Sequence, residues 1–295
     1  MSKYDFYIVD VFTESKYAGN QLAVFRRAAD ISSEMMQKIA KETNFAETTF
    51  ILSDNEREGG YDVRIFTPES EMPFAGHPTL GTAYIIRNEI IGKPIESLKL
   101  NLQVGQIPVT FKNTESGQEI LWMKQIQPTF GKVLEIPVVA EILGLNADDF
   151  DQRYPIEEVS TGLPFVITPL KTMDAIKRVV INQRKYYELI ENLDAKDILV
   201  FSPETYSQEN QLNARVFPLF HGIPEDPATG SANGCLAGYL IKNRYFDNDS
   251  IDICVEQGYE IKRPSKLYLQ ADRDGDKINI NVGGKVQMVA RGEFV

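Results

Sequence analysis

The chain has 295 residues, 43% hydrophobic and 25% charged, which is the composition of a soluble globular protein with room for two domains. A formal charge of −11 argues against nucleic acid, whose phosphates need a basic face. No apolar run approaches a membrane span, the start MSKYDFYIVDVF lacks a leader's apolar stretch, and Cys235 and Cys254 fit neither a disulfide framework nor a metal spacing. A reduced, cytoplasmic protein without a bound metal is expected.

In chain order, Tyr4 to Phe12 predicts a strand covered on both faces, and Gly19 to Phe25 a second one. Ser32 or Ser33 is placed to cap a helix running through Thr43, with Met35, Met36, Ile39 and Ala40 at helical spacing. Strands follow at 48–52 and 61–66, the latter after Gly59-Gly60. In Met72 to Ile86, MPFAGHPTLGTAYII, an apolar approach meets Gly76-His77-Pro78 and then a helix from about Pro78 to Ile90. Proline suits a first turn, where its missing N–H costs nothing. A glycine before such a helix leaves unpaired N–H donors open to an anion. Short strands near 98–102, 107–111 and 119–123 complete the first half.

The text changes register around 127–135, where the crossing into a second half is placed. That half predicts helices at 137–145 and 182–193 and strands at 157–160, 164–170, 198–202 and 212–217. A last helix is expected at 231–244, with short strands after it ending in 285–290. The second half echoes the first. Gly19 matches Gly162, Ser53 matches Ser202, Arg64 matches Arg215 and Gly76 matches Gly230, at offsets of 143, 149, 151 and 154 residues. Offsets that keep order and grow slowly mark a duplicated half with loop insertions. Each half therefore reads as a sheet of short strands around one central helix.

The carboxylate best placed for chemistry is Glu47, between Phe45-Ala46 and Thr48-Thr49-Phe50. Apolar neighbours would raise its pKa and suit it to general acid/base work, although a solvated glutamate at a strand end is the commoner fate. His77 could donate to a substrate or simply sit satisfied at the helix cap. Asp226 could orient an amine or hydroxyl, or bond within its own Pro/Gly turn, which is the simpler reading. Ser231 is most simply an N-cap, and Cys235 a small buried residue. No G-x-S-x-G elbow, zinc spacing, Rossmann or P-loop pattern is present, so no nucleotide cofactor is implied.

These motifs together resemble the phenazine-biosynthesis isomerase family, PhzF-like, within the diaminopimelate-epimerase-like fold. The similar segments are DVFTESKYAGNQLAVF, NFAETTF, RIFTPESEMPFAGHPTLGTAYII, STGLPFVI, EDPATGSANGCLAGYLI and EQGYEIKRPSKLYLQ, spread over essentially the whole chain. The resemblance implies an α+β protein of two pseudo-symmetric lobes, each a curled, mostly antiparallel, barrel-like sheet around a central helix. The lobes would be 1–126 with a returning strand at 285–295, and 127–284, with the active site in the cleft between them. It implies a cofactor-free isomerase that moves a proton between ring carbons of trans-2,3-dihydro-3-hydroxyanthranilate. Glu47, His77 and Asp226 fall on the family's catalytic positions, and Gly76, Gly230 and Ser231 on its substrate-binding ones. Homodimers are usual there. Racemases of the same fold use two thiolates, one before each helix; here Ala75-Gly76 and Asp226-Pro227 carry none. The alternatives are an epimerase on an amino-acid-like substrate, with bases other than thiols, and a small-molecule-binding protein that kept the fold.

Overall fold

The computed structural model describes residues 3–114 and 117–295, which form two compact units. The first comprises Met1–Lys124 with Gly283–Val295, and the second Gln125–Val282. In the first unit the chain runs through β1 (Tyr4–Val11), β2 (Asn20–Phe25), α1 (Ser33–Thr43), β3 (Glu47–Ile51), β4 (Tyr61–Phe66), β5 (Glu71–Met72) and α2 (Gly76–Ile85). A π-helical turn, Ile86–Ile91, leads to β6 (Ser97–Leu102), β7 (Gly105–Asn113) and β8 (Glu119–Lys124). The second unit has β9 (Thr129–Leu134), α3 (Ile136–Leu143), β10 (Ile156–Ser160), β11 (Pro164–Pro169), α4 (Met173–Arg178), α5 (Gln183–Ile190), β12 (Asp197–Ser202) and β13 (Leu212–Phe217). Then come α6 (Gly230–Lys242), β14 (Ser250–Gln257), β15 (Ser265–Asp274) and β16 (Lys277–Gly284), before β17 (Val286–Phe294) pairs antiparallel with β1.

The same pairing scheme is built twice. The strands β1, β2, β3, β4, β6 and β7 join successively as antiparallel, parallel, antiparallel, parallel and antiparallel neighbours. The strands β10, β11, β12, β13, β14 and β15 repeat that order. Each sheet curls around its own helix. Every residue of α2 except Tyr84 is buried, and every residue of α6 except Ser231 and Lys242. A helix covered all round cannot be amphipathic, and both sequences are accordingly rich in small and apolar residues, with His77, Thr79, Thr82 and Asn233 as buried polar exceptions. Close approach needs glycine: a Cβ on Gly81 would meet Leu22 Cδ2 at 2.6 Å, and one on Gly238 would meet Pro128 Cβ at 2.9 Å.

The outer face of each sheet is covered by amphipathic helices. Met36, Ile39 and Ala40 of α1 pack on Ala23, Phe25, Phe50 and Phe66, and the Phe25 and Phe50 rings stack at 5.2 Å. In the second unit α3 and α5 cover Val166, Ile198, Val200 and Phe217. The two-residue period of a strand then decides what faces the central helix. Phe50 points outward, whereas Thr49 bonds to Thr82 of α2 at 2.8 Å. Glu47 shares the face of Thr49.

Several expectations shift. The segment around 127–135 is not only a crossing but holds β9, whose mostly exposed residues give it no apolar signature. The six-residue α4 is too short to show a helical period. The first motif helix begins two residues earlier than expected and leaves α geometry after Ile85. The final strand extends past Ala290 to Phe294. Among the described residues, no helix is long and apolar enough to cross a membrane.

Candidate active site

In the first unit, Glu47 opens β3 opposite Leu22 of β2, and His77 is the second residue of α2. The His77 ring is buried, with Nε2 3.3 Å from the backbone oxygen of Gln21 and 3.3 Å from Glu47 Oε2. Burial outweighs the Gln21 contact and pushes the imidazole down to about 3, so the ring is neutral at physiological pH. The Glu47–His77 approach is therefore a close contact of a carboxylate with a neutral ring rather than an ion pair. The Gln21 carbonyl facing Nε2 can only accept, which puts the ring proton on that nitrogen and leaves Nδ1 bare. The Glu47 side chain is 17% exposed, although its Oε2 atom is itself buried.

The helix cap is not His77. Ala75 holds the extended N-cap conformation without a side-chain bond, and its carbonyl accepts from Thr79 N and Oγ1. Gly76 and His77 thus occupy the first turn, where backbone N–H groups have no intrahelical partner. Pro78 follows in the same turn with no N–H to satisfy.

In the second unit the N-cap of α6 is Thr229, not Ser231. Ser231 is the second residue of the helix, half-buried, and its hydroxyl has no hydrogen-bond partner among the described residues. Asp226 is buried; its N–H donates to Val216 O at 3.0 Å and its Oδ2 accepts from the Thr229 hydroxyl. Gly230 is buried at the first position of α6. The structure thus puts Glu47, His77 and Gly76 together at one helix start, and Asp226, Gly230 and Ser231 at the other.

Side chains that the sequence reading did not single out complete this second cluster. Gln257, fully buried at the end of β14, donates through Nε2 to Asp226 O at 2.8 Å and to Thr229 Oγ1 at 3.1 Å. Its Oε1 accepts from Thr229 N at 3.2 Å and from Asn233 Nδ2 at 2.9 Å. The next residue, Gly258, has φ +79°, and a Cβ there would lie 2.6 Å from Pro227 O. The available signal was EQG itself, an amide and a glycine ending a buried strand. Cys235, deeper in α6, contacts Thr161 Oγ1 at 3.6 Å and Leu163 O at 3.4 Å. Burial pushes its thiol up to about 12, so it stays protonated and is no base. Among the described residues, no group of three His, Cys, Asp or Glu side chains has metal-binding geometry.

The family model for phenazine biosynthesis-like proteins, PhzC-PhzF, matches residues 9–292. The chain belongs to that family. It is 32% identical to a trans-2,3-dihydro-3-hydroxyanthranilate isomerase of Pseudomonas aeruginosa, over 97% of each chain. It is 31% identical to an uncharacterized isomerase of Pasteurella multocida, covering all of this chain and 95% of the relative. Among solved structures, a phenazine biosynthesis protein of the PhzF family from Bacillus anthracis superposes with a TM-score of 0.92 at 29% identity, with both chains fully covered. A hydroxyproline epimerase from Agrobacterium vitis matches at a TM-score of 0.63 with 5% identity, which shows a shared fold alone. The PhzF-like fold is thus a duplicated curled sheet around a helix, the architecture described above.

Proposed function

We propose that the protein is a cofactor-independent isomerase that moves a proton within a small carboxylated substrate bearing an amine or hydroxyl, with Glu47 as the single acid/base. The observation that carries this reading is the Glu47–His77 arrangement: a partly exposed glutamate side chain 3.3 Å from a neutral imidazole at an uncapped helix start. Glu47 takes a proton from a substrate carbon, and the electron pair of that C–H bond enters the adjoining unsaturated system. The same carboxyl returns the proton to a second carbon, so atoms and electrons balance with no external oxidant or reductant. The neutral His77 ring, fixed beside the carboxylate by its Gln21 contact, limits how that carboxylate can turn. The N–H groups of Gly76 and Gly230, at helix starts, suit a substrate carboxylate. Asp226 accepts from the amine or hydroxyl, and the Ser231 hydroxyl donates or accepts beside it.

The names of relatives favour trans-2,3-dihydro-3-hydroxyanthranilate as the first compound to try. Wild type and Glu47→Gln are each mixed with it in D2O and followed by proton NMR. The reading expects conversion with deuterium incorporated by the wild type, and a loss of about a hundred- to ten-thousandfold in the variant. Full activity in Glu47→Gln contradicts the mechanism. A substrate left untouched by the wild type contradicts this choice of compound.

A further inference from the structure

We infer that Gln257 is a positioning residue that sets the Asp226 carboxylate through the hydroxyl of Thr229, an inference that rests on the substrate-binding role of Asp226 proposed above. A hydroxyl has one proton and can aim it in several directions. At Thr229 that freedom is removed. The Gln257 Nε2–H group occupies a lone pair of Thr229 Oγ1, so the hydroxyl proton is left to point at Asp226 Oδ2. The orientation of the amide is fixed in turn by its other contacts. Two N–H donors, from Thr229 and Asn233, face Oε1, while the Asp226 carbonyl faces Nε2. A flipped amide would set donor against donor and acceptor against acceptor.

The same side chain therefore touches three parts of one turn: the backbone of Asp226, the N-cap amide of α6 and the cap hydroxyl. Thr229 as cap spends its hydroxyl on Asp226 rather than on the helix, which leaves the first-turn N–H groups of α6 without a side-chain cap. Gln257 thus holds the carboxylate and the open helix start in one fixed relation. Gly258 makes this possible, because its positive φ and missing side chain let β14 end against Pro227. The EQG segment acts on substrate only through Asp226 and Thr229.

Two variants of similar shape separate the parts of the device. Gln257→Glu keeps an acceptor for Thr229 N and replaces the donor that orients the hydroxyl. Gln257→Met removes both. In Gln257→Glu, turnover of trans-2,3-dihydro-3-hydroxyanthranilate per folded enzyme should fall about ten- to a hundredfold, the size of one hydrogen bond to a charged group. The loss should fall on the same parameter, kcat or KM, that Asp226→Asn changes. In Gln257→Met the Thr229 amide should also lose protection against hydrogen exchange, while amides of β12 keep theirs. Wild-type kcat and KM in Gln257→Glu, or unchanged Thr229 protection in Gln257→Met, would overturn the inference. If Asp226→Asn retains full turnover, the proposed role of Asp226 fails instead. If the wild type does not turn the compound over, the exchange comparison alone decides whether Gln257 holds the turn.

Discussion

The two units share a frame and differ in what is hung on it. Both carry an arginine on a strand ahead of the central helix, clamped to a glutamate between that strand and the helix: Arg64 of β4 with Glu71, which opens β5, and Arg215 of β13 with Glu225. Each guanidinium also lies about a ring's width from a phenylalanine two residues on, 5.0 Å from Phe66 and 4.9 Å from Phe217. Both units pair an acid with an amide across the parallel strands beyond. Here the sides are exchanged: Asp62 of β4 accepts from Asn101 of β6, whereas Glu256 of β14 accepts from Asn213 of β13. The duplicated frame thus carries a complementary pair at matching places, with the charge on the first strand in one unit and on the second in the other. At the first positions of β3 and β12, Glu47 and Asp197 both meet a histidine, at 3.3 and 3.4 Å. The partners come from different places. His77 lies in the buried central helix, and His221 in a half-exposed turn before Asp226.

The sharpest difference concerns the two arginine clamps. The Arg215 and Glu225 side chains are 9% and 7% exposed, and Arg215 Nη1 also donates to Ile176 O at 2.8 Å and Val179 O at 3.2 Å. Arg64 and Glu71 are 25% and 26% exposed. Removing one partner of a buried pair leaves the other charge stranded, so Arg215→Ala should cost about 3–5 kcal/mol in urea denaturation. Arg64→Ala should cost about 1 kcal/mol, because water can reach Glu71. Equal losses would mean that the two clamps are equivalent after all.

The histidines should respond to pH with opposite signs. For His77 the folded state refuses a proton that the unfolded chain accepts below pH 6.5. Stability is whole above that pH and declines by roughly 1.4 kcal/mol per unit as the pH falls toward 3. His77→Asn should flatten this decline in denaturation midpoints measured between pH 7 and pH 4.5. Asp197 raises the pKa of His221, so that contribution is complete below pH 6.5 and is lost as pH rises through the folded value. Solvent screening of the half-exposed ring limits it to about 1 kcal/mol, and His221→Asn should remove that smaller alkaline loss.

Much of this frame was legible because its signals are local. YDVRIF and LNARVF alternate and occupy β4 and β13 with the expected bounds, and Ser32, one of the two serines expected as the cap, caps α1 through Met35 N. The duplication was legible because arginine, glycine and strand ends recur in order. What stayed hidden depends on the packing of distant segments. Nothing in the sequence says that Thr229 rather than Ser231 caps α6, because the choice follows from Asp226 and Gln257 meeting the same hydroxyl. The neutrality of His77 likewise follows from its burial between β2 and β3, which a Gly-His-Pro motif alone does not convey. The exposed strand β9 has no core face to announce it.

We propose that the equivalent strand-start carboxylates have parted, Glu47 to proton transfer and Asp197 to structure. The most direct test compares initial rates of deuterium incorporation into trans-2,3-dihydro-3-hydroxyanthranilate in D2O for wild type, Glu47→Gln and Asp197→Asn, each corrected for folded fraction. Incorporation should be reduced by about a hundredfold or more in Glu47→Gln and stay within about twofold of wild type in Asp197→Asn. Rapid incorporation by Glu47→Gln, or an equal collapse in both variants, would contradict the proposal.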